Sequence, residues 1–187
     1  NRYWYSRSEL VLEGGSLIVD GTVAQPVHFT SASPEFRPKE DWPGDWRGFR
    51  INDGDISMQN FEISYAVYSM WFNDDDTRFN GYEISNGTIR NSRMTGIFLN
   101  SSADRVQPVT LSNVTIQDTH HDPEWGGDHD GRGIYARSPI ELINSTVIRS
   151  YRDGIFGDDR AGITLQGSQI LANGANGIYC AGTFYFA

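Results

Sequence analysis

The chain has 187 residues and a formal net charge of −9, long enough for one domain with a sizeable core. That acidity argues against nucleic acid or an anionic membrane as the main partner, since both call for clustered Lys and Arg. No apolar run reaches the length of a membrane span, and one cysteine, Cys180, excludes an internal disulfide framework.

In chain order, "ELVLEGGSLIVDG" and "QPVHFTSAS" read as opening strands separated by glycine or polar turns. Five related segments follow: "ISMQNFEI", "YEISNGTI", "VTLSNVTI", "IELINSTV" and "ITLQGSQI". Each carries Asn or Gly at one fixed place, namely Asn60, Asn86, Asn113, Asn144 and Gly167. A second pattern follows each of them: "SMWF", "GIFL", "GIYA", "GIFG" and "GIYC". The Asn-to-Asn steps are 26, 27, 31 and 23 residues. Steps of that size without helical periodicity predict a solenoid with three short strands per turn. With 20 glycines and 13% aromatics spread among β-branched runs, the expected class is all-β.

The repeat resembles the right-handed parallel β-helix of the pectate-lyase-like superfamily. The run "GSLIVDGTVAQPVHFTSAS", followed by "PGDWRGFRI", is similar to the opening coils of secreted β-helix proteins. The resemblance covers nearly the whole chain. It implies one β-helix domain over residues 1–187, of about six to seven coils with three short strands each, in an extracellular or cell-surface protein. No initiator Met, signal peptide or capping helix is visible, so the sequence is expected to be a processed piece of a longer protein, or a subunit whose ends are covered by head-to-tail stacking on other copies.

Strand alternation assigns directions. In the "GIxx" strands, Met70, Ile97, Leu99, Ile134, Ile155, Ile178 and Cys180 point inward, which makes Cys180 a small core residue. Trp71, Phe98, Tyr135, Phe156 and Tyr179 point outward on successive coils. Coils stack at about 4.8 Å, so these rings are expected to form a continuous exposed ladder, either as a stabilised wall or as a binding stripe for a polysaccharide or a partner subunit. The Asn positions fall at the tight turn between strands, where a left-handed conformation is needed. Asn86, Asn113, Asn144 and Asn100 each begin an N-x-S/T sequon. The first three are expected to be buried in the turn ladder, leaving Asn100 as the glycosylation candidate.

The turn before the glycine gives a ruler. Ile89 to Gly96, Val147 to Gly154 and Ile170 to Gly177 each enclose six residues, whereas Ile116 to Gly133 encloses sixteen. The stretch "THHDPEWGGDHDGRGIY" therefore carries a ten-residue insertion, and long loops on a rigid scaffold concentrate function. His120, His121 and His129 offer imidazoles, and Asp122, Glu124, Asp128 and Asp130 offer oxygens. The plainer reading is a solvated loop pinned by Trp125. The residues preceding each glycine, Tyr68, Thr95, Arg132, Asp153 and Asn176, should stack, so that Arg132 and Asp153 pair. Lyases of the superfamily use an Arg base beside Ca²⁺-binding carboxylates. The resemblance would give that part to Arg132 or Arg152, with Asp128, Asp130 and Asp153 near an ion. "GDD" at Gly157–Asp159 is similar to one piece of the hydrolase pattern, but the companion "GHG" and "RIK" motifs are absent. The acidic runs Asp74–Asp76 and Asp158–Asp159 read as solvated turns.

These observations point to a structural, adhesive or carbohydrate-binding module, with Trp71, Phe98, Tyr135, Phe156 and Tyr179 as the binding residues and a filament subunit as one form of it. The alternative is a polysaccharide lyase or glycoside hydrolase using His129, Asp130, Arg132, Arg152 and Asp153. No cofactor is required in the first case, and Ca²⁺ is the candidate ion in the second. The expected partners are a polysaccharide or neighbouring subunits.

Overall fold

The structure, a computed structural model, describes residues 8–31, 46–73, 82–100, 108–123, 127 and 130–186. Among them there are strands and turns but no helix. The chain runs through β1 (Glu9–Asp20) and β2 (Val27–Phe29), then β3 (Gly48–Ser64), β4 (Tyr68–Phe72) and β5 (Tyr82–Arg90). From there each coil has three short strands: β6 (Thr95–Leu99), β7 (Val109–Ser112) and β8 (Thr115–Gln117); β9 (Ile134–Ala136), β10 (Ile140–Ile143) and β11 (Thr146–Ile148); β12 (Ile155–Gly157), β13 (Gly162–Gln166) and β14 (Gln169–Leu171). β15 (Ile178–Cys180) and β16 (Thr183–Phe186) begin one more. All ladders are parallel and join equivalent strands of successive coils. The result is a parallel β-helix of six coils and part of a seventh, as the repeat predicts. The first three coils depart from three short strands. β3 runs on for 17 residues and turns its corners at Gly54 (φ 117°) and Asn60 (φ 50°); its ladder to β1 shifts register around the first corner, and its ladder to β5 keeps its register across the second.

Three walls enclose the core. The first wall stacks β4, β6, β9, β12 and β15; the second stacks β7, β10, β13 and β16; the third stacks β8, β11 and β14. β3 and β5 supply the preceding rungs. Inward rows are continuous: Phe49, Met70, Ile97, Ile134, Ile155 and Ile178 align on the first wall. Ile97, Ile134 and Ile155 have no exposed surface, and burying a side chain of this size contributes about 1.5–3 kcal/mol. Ile178 and Cys180 hold the same inward register but are half-buried, because no further coil covers them among the described residues.

The corners explain the sequence marks. Asn60, Asn86, Asn113, Asn144 and Gly167 all have φ between 49° and 59°, the left-handed conformation that Asn and Gly tolerate best. A second left-handed corner lies five residues on in every coil, at Tyr65, Asn91, Asp118, Arg149 and Ala172. The turn asparagines are not buried, contrary to expectation. Asn86, Asn113 and Asn144 are exposed, although Asn113 Nδ2 donates to Asn86 Oδ1 at 3.1 Å. The left-handed backbone swings these side chains outward, and the buried polar links fall one residue later. Ser145 Oγ accepts from the Val114 amide and donates toward the Leu111 carbonyl, and Ser168 Oγ accepts from the Ser145 amide. The glycine of "GIxx" marks a close approach. A Cβ at Gly133 would lie 2.4 Å from Val147 Cγ1 and 2.6 Å from the Gly154 carbonyl.

Candidate functional site

The outward row of the first wall is Arg50, Trp71, Phe98, Tyr135, Phe156 and Tyr179. Its five rings form an unbroken ladder. Centroid separations are 5.7 Å for Trp71–Phe98, 5.1 Å for Phe98–Tyr135, 5.2 Å for Tyr135–Phe156 and 4.8 Å for Phe156–Tyr179. The last two pairs are parallel stacks, 15° and 8° between planes.

The ladder is not exposed along its whole length. Phe98 and Tyr135 retain only 6% and 7% of their surface, whereas Tyr179 retains 47%. Trp71 and Phe156 are intermediate. Neighbouring side chains account for this. Tyr68 stacks on Phe98 at 5.7 Å. The Arg132 guanidinium lies 4.0 Å over Phe156 and 5.5 Å from the Tyr135 ring, and that of Arg137 lies 5.8 Å from Tyr135. Cation–π contacts of this kind contribute about 0.5–2 kcal/mol.

One border of the wall is a polar row at the turn after each first-wall strand. Asn100 Nδ2 donates to Asn73 Oδ1 (3.1 Å) and Asn100 Oδ1 accepts from Arg137 (2.9 Å). Arg137 also pairs with Asp158 at 3.2 Å. Asn100, the glycosylation candidate, is thus part-buried with its amide nitrogen committed to another coil. Asp158 is half-buried against Arg137 rather than freely solvated, and Asp159 is exposed. Asp74–Asp76 lie outside the described residues.

The other border is the insertion. Its neck closes tightly: Thr119 Oγ1 donates to the Gly131 carbonyl at 3.4 Å. The His120 amide reaches back to Ser92 and the Gly131 amide to Met94, so the loop leaves and re-enters the coil at one place, as an Ω-loop does. Inside the neck, Asp122 and Asp130 have no exposed surface. Asp122 pairs with buried Arg93 at 2.9 Å. Asp130 Oδ2 accepts from His121 Nδ1 and from the Asp122 amide, the latter at 3.0 Å. His121 stacks on Tyr151 with centroids 4.9 Å apart and planes at 14°. Burial drives the Asp130 carboxyl above its usual range, against the opposing pull of its His121 and Asp122 hydrogen bonds. Burial also raises the Tyr68 phenol, with Asp130 and then Asp122 adding to the rise.

The candidate catalytic residues divide between two pairs. Arg132 and Asp153 are together, Nε to Oδ2 at 3.0 Å, and Asp153 Oδ1 accepts from the amide and side chain of Asn176. This pair is buried at 7% and 5% exposure, not a surface ion pair. Asp130 belongs instead to the His121 pair. Arg152 is half-buried, and its backbone bonds Gly131 and Ala175. His129, Asp128, Glu124 and Trp125 lie outside the described residues. Among the described residues no three His, Cys, Asp or Glu side chains are grouped to hold a metal ion; Asp130 and Asp153 are each committed to their own partners. Tyr68, Arg93 and Arg137 were not singled out from sequence as site residues. The coil ruler could have flagged Arg93, because its turn lies one coil before the start of the insertion.

Comparison with known families matches residues 47–184 to the right-handed β-helix region. No curated protein and no solved structure matches.

Proposed function

The chain belongs to the right-handed β-helix family, and on that premise we propose that it is an extracellular carbohydrate-binding module whose ligand lies along the first wall. The ring ladder carries this reading. Five aromatic side chains at coil spacing stack into one apolar stripe, and large apolar stripes bordered by polar groups mark interaction sites. The border supplies hydrogen-bonding partners through Asn73, Asn100, Arg137 and Asp158. Because Phe98 and Tyr135 are covered, the sugar-contacting rings are Phe156 and Tyr179, with Trp71 further along. No metal is needed for such binding.

The test is retention on a panel of insoluble and soluble polysaccharides. Phe156→Ala and Tyr179→Ala should each weaken binding at least tenfold, about 1.4 kcal/mol, with the fold unchanged by circular dichroism. Binding that is indifferent to both substitutions would remove the wall as the site.

A further inference from the structure

Resting on that reading of the wall, we propose that His121, oriented by Asp130, is the general base of an ester-hydrolysing site that removes O-acyl groups from the bound glycan. Four observations bear on this residue. Asp130 has no exposed surface, and its Oδ2 accepts from His121 Nδ1. A carboxylate can only accept, so the proton of that contact sits on Nδ1 and the basic lone pair on Nε2. The imidazole is not sealed, since 27% of the side chain is exposed, and Tyr151 holds one of its faces. Asp130 retains unmatched polar capacity, since its Oδ1 is buried without a hydrogen-bond partner among the described residues. Tyr68 belongs to the wall, its ring stacked on Phe98 and tilted against Trp71, and its phenol is raised by burial and then by Asp130.

The arrangement selects among reactions. Glycosidic hydrolysis needs two carboxyl groups facing the scissile oxygen. Here Asp122 and Asp130 are fully buried and committed to Arg93 and His121. A phosphate or sulfate ester is disfavoured at a neck whose cations are already paired with carboxylates. An acyl ester asks for an oriented imidazole, which His121 supplies, and a water molecule drawn from solvent. His121 Nε2 takes a proton from water as the water oxygen bonds to the acyl carbon. The bond from that carbon to the sugar oxygen then breaks, and the imidazolium returns the proton to the sugar oxygen. Ester and water become carboxylic acid and alcohol, with no other reactant.

The experiment follows hydrolysis of acetylated xylan and of 4-nitrophenyl acetate by the unmodified chain across pH. Both should be hydrolysed. His121→Gln should lower them about 10²- to 10⁴-fold, the usual worth of a positioned base. Asp130→Asn should lower them less and displace the pH profile, which a merely structural contact would not do. Treating the native chain with diethyl pyrocarbonate should abolish hydrolysis, and hydroxylamine should restore it, independently of any effect of substitution on folding. Hydrolysis of 4-nitrophenyl acetate that is absent, or undiminished in His121→Gln, overturns the proposal. Polysaccharide retention that depends on Phe156 and Tyr179 without His121-dependent hydrolysis would sink the base and leave the wall reading standing.

Discussion

The first wall and the neck of the insertion lie side by side but are held by opposite means. On the wall each side chain is supported by an equivalent one from the next coil: isoleucine on isoleucine inside, ring on ring outside. Nothing there needs a unique partner, and the stabilisation is apolar burial repeated along the axis. Among the described residues the neck has no equivalent in other coils. It is held by Arg93–Asp122, His121–Asp130 and Thr119–Gly131, contacts in which desolvation offsets much of the attraction. A solenoid can thus carry a costly polar cluster at one turn because its neighbours are stabilised independently of it.

The sharpest way to break this contrast is to remove one rung of the core. Ile134→Ala should cost about 2–5 kcal/mol, since Ile134 is fully buried between Ile97 and Ile155; urea unfolding reads it as a global loss. Asp122→Ala comes next. It removes a carboxylate that pairs with the buried Arg93 guanidinium, at a cost of up to about 3 kcal/mol. That loss should be local, seen as faster hydrogen exchange of the Gly131 amide, which bonds the Met94 carbonyl at 2.7 Å, while core amides of β9 and β12 stay protected. A global loss instead would show that the neck supports the coils.

Titration refines the comparison further. Asp130 is raised by burial, so its folded pKa exceeds the unfolded one. Its contribution to stability is fully present below the unfolded pKa and is lost as pH rises through the folded value. Relative to Asp130→Asn, the unsubstituted chain should lose stability over that interval and run parallel to the variant above it. Urea midpoints at a series of pH values check this; a difference that does not change with pH would contradict it. The smallest effect concerns the corners. Ala172 has φ 50° and is exposed, so Ala172→Gly should stabilise by about 0.5–1 kcal/mol, the relief of left-handed strain less the entropy glycine gains when unfolded. A loss of stability would mean that this corner is not under strain.

How much of this could be read from sequence follows the same division. The solenoid was legible because every coil repeats its Asn corner and its "GIxx" strand. Inward and outward faces followed from strand alternation, and the Arg132–Asp153 pair from the row of residues before each glycine. The exposure of the turn asparagines was not legible, because it depends on which way a left-handed backbone throws the side chain. Nor was the cover over Phe98 and Tyr135, which comes from Tyr68, Arg132 and Arg137, residues whose side-chain directions no periodicity fixes. The insertion's length was plain from the ruler. Its internal pairing was not, since His121 meets Asp130 only when the neck closes.

The most direct test of the account is hydroxyl-radical footprinting of the first wall, with and without the polysaccharide that the binding panel selects. The account predicts that oxidation of Phe156, Tyr179 and Trp71 falls on binding, while Tyr185, exposed on the second wall at 59%, stays as reactive as before. Protection of Tyr185 with an unprotected first wall would contradict it.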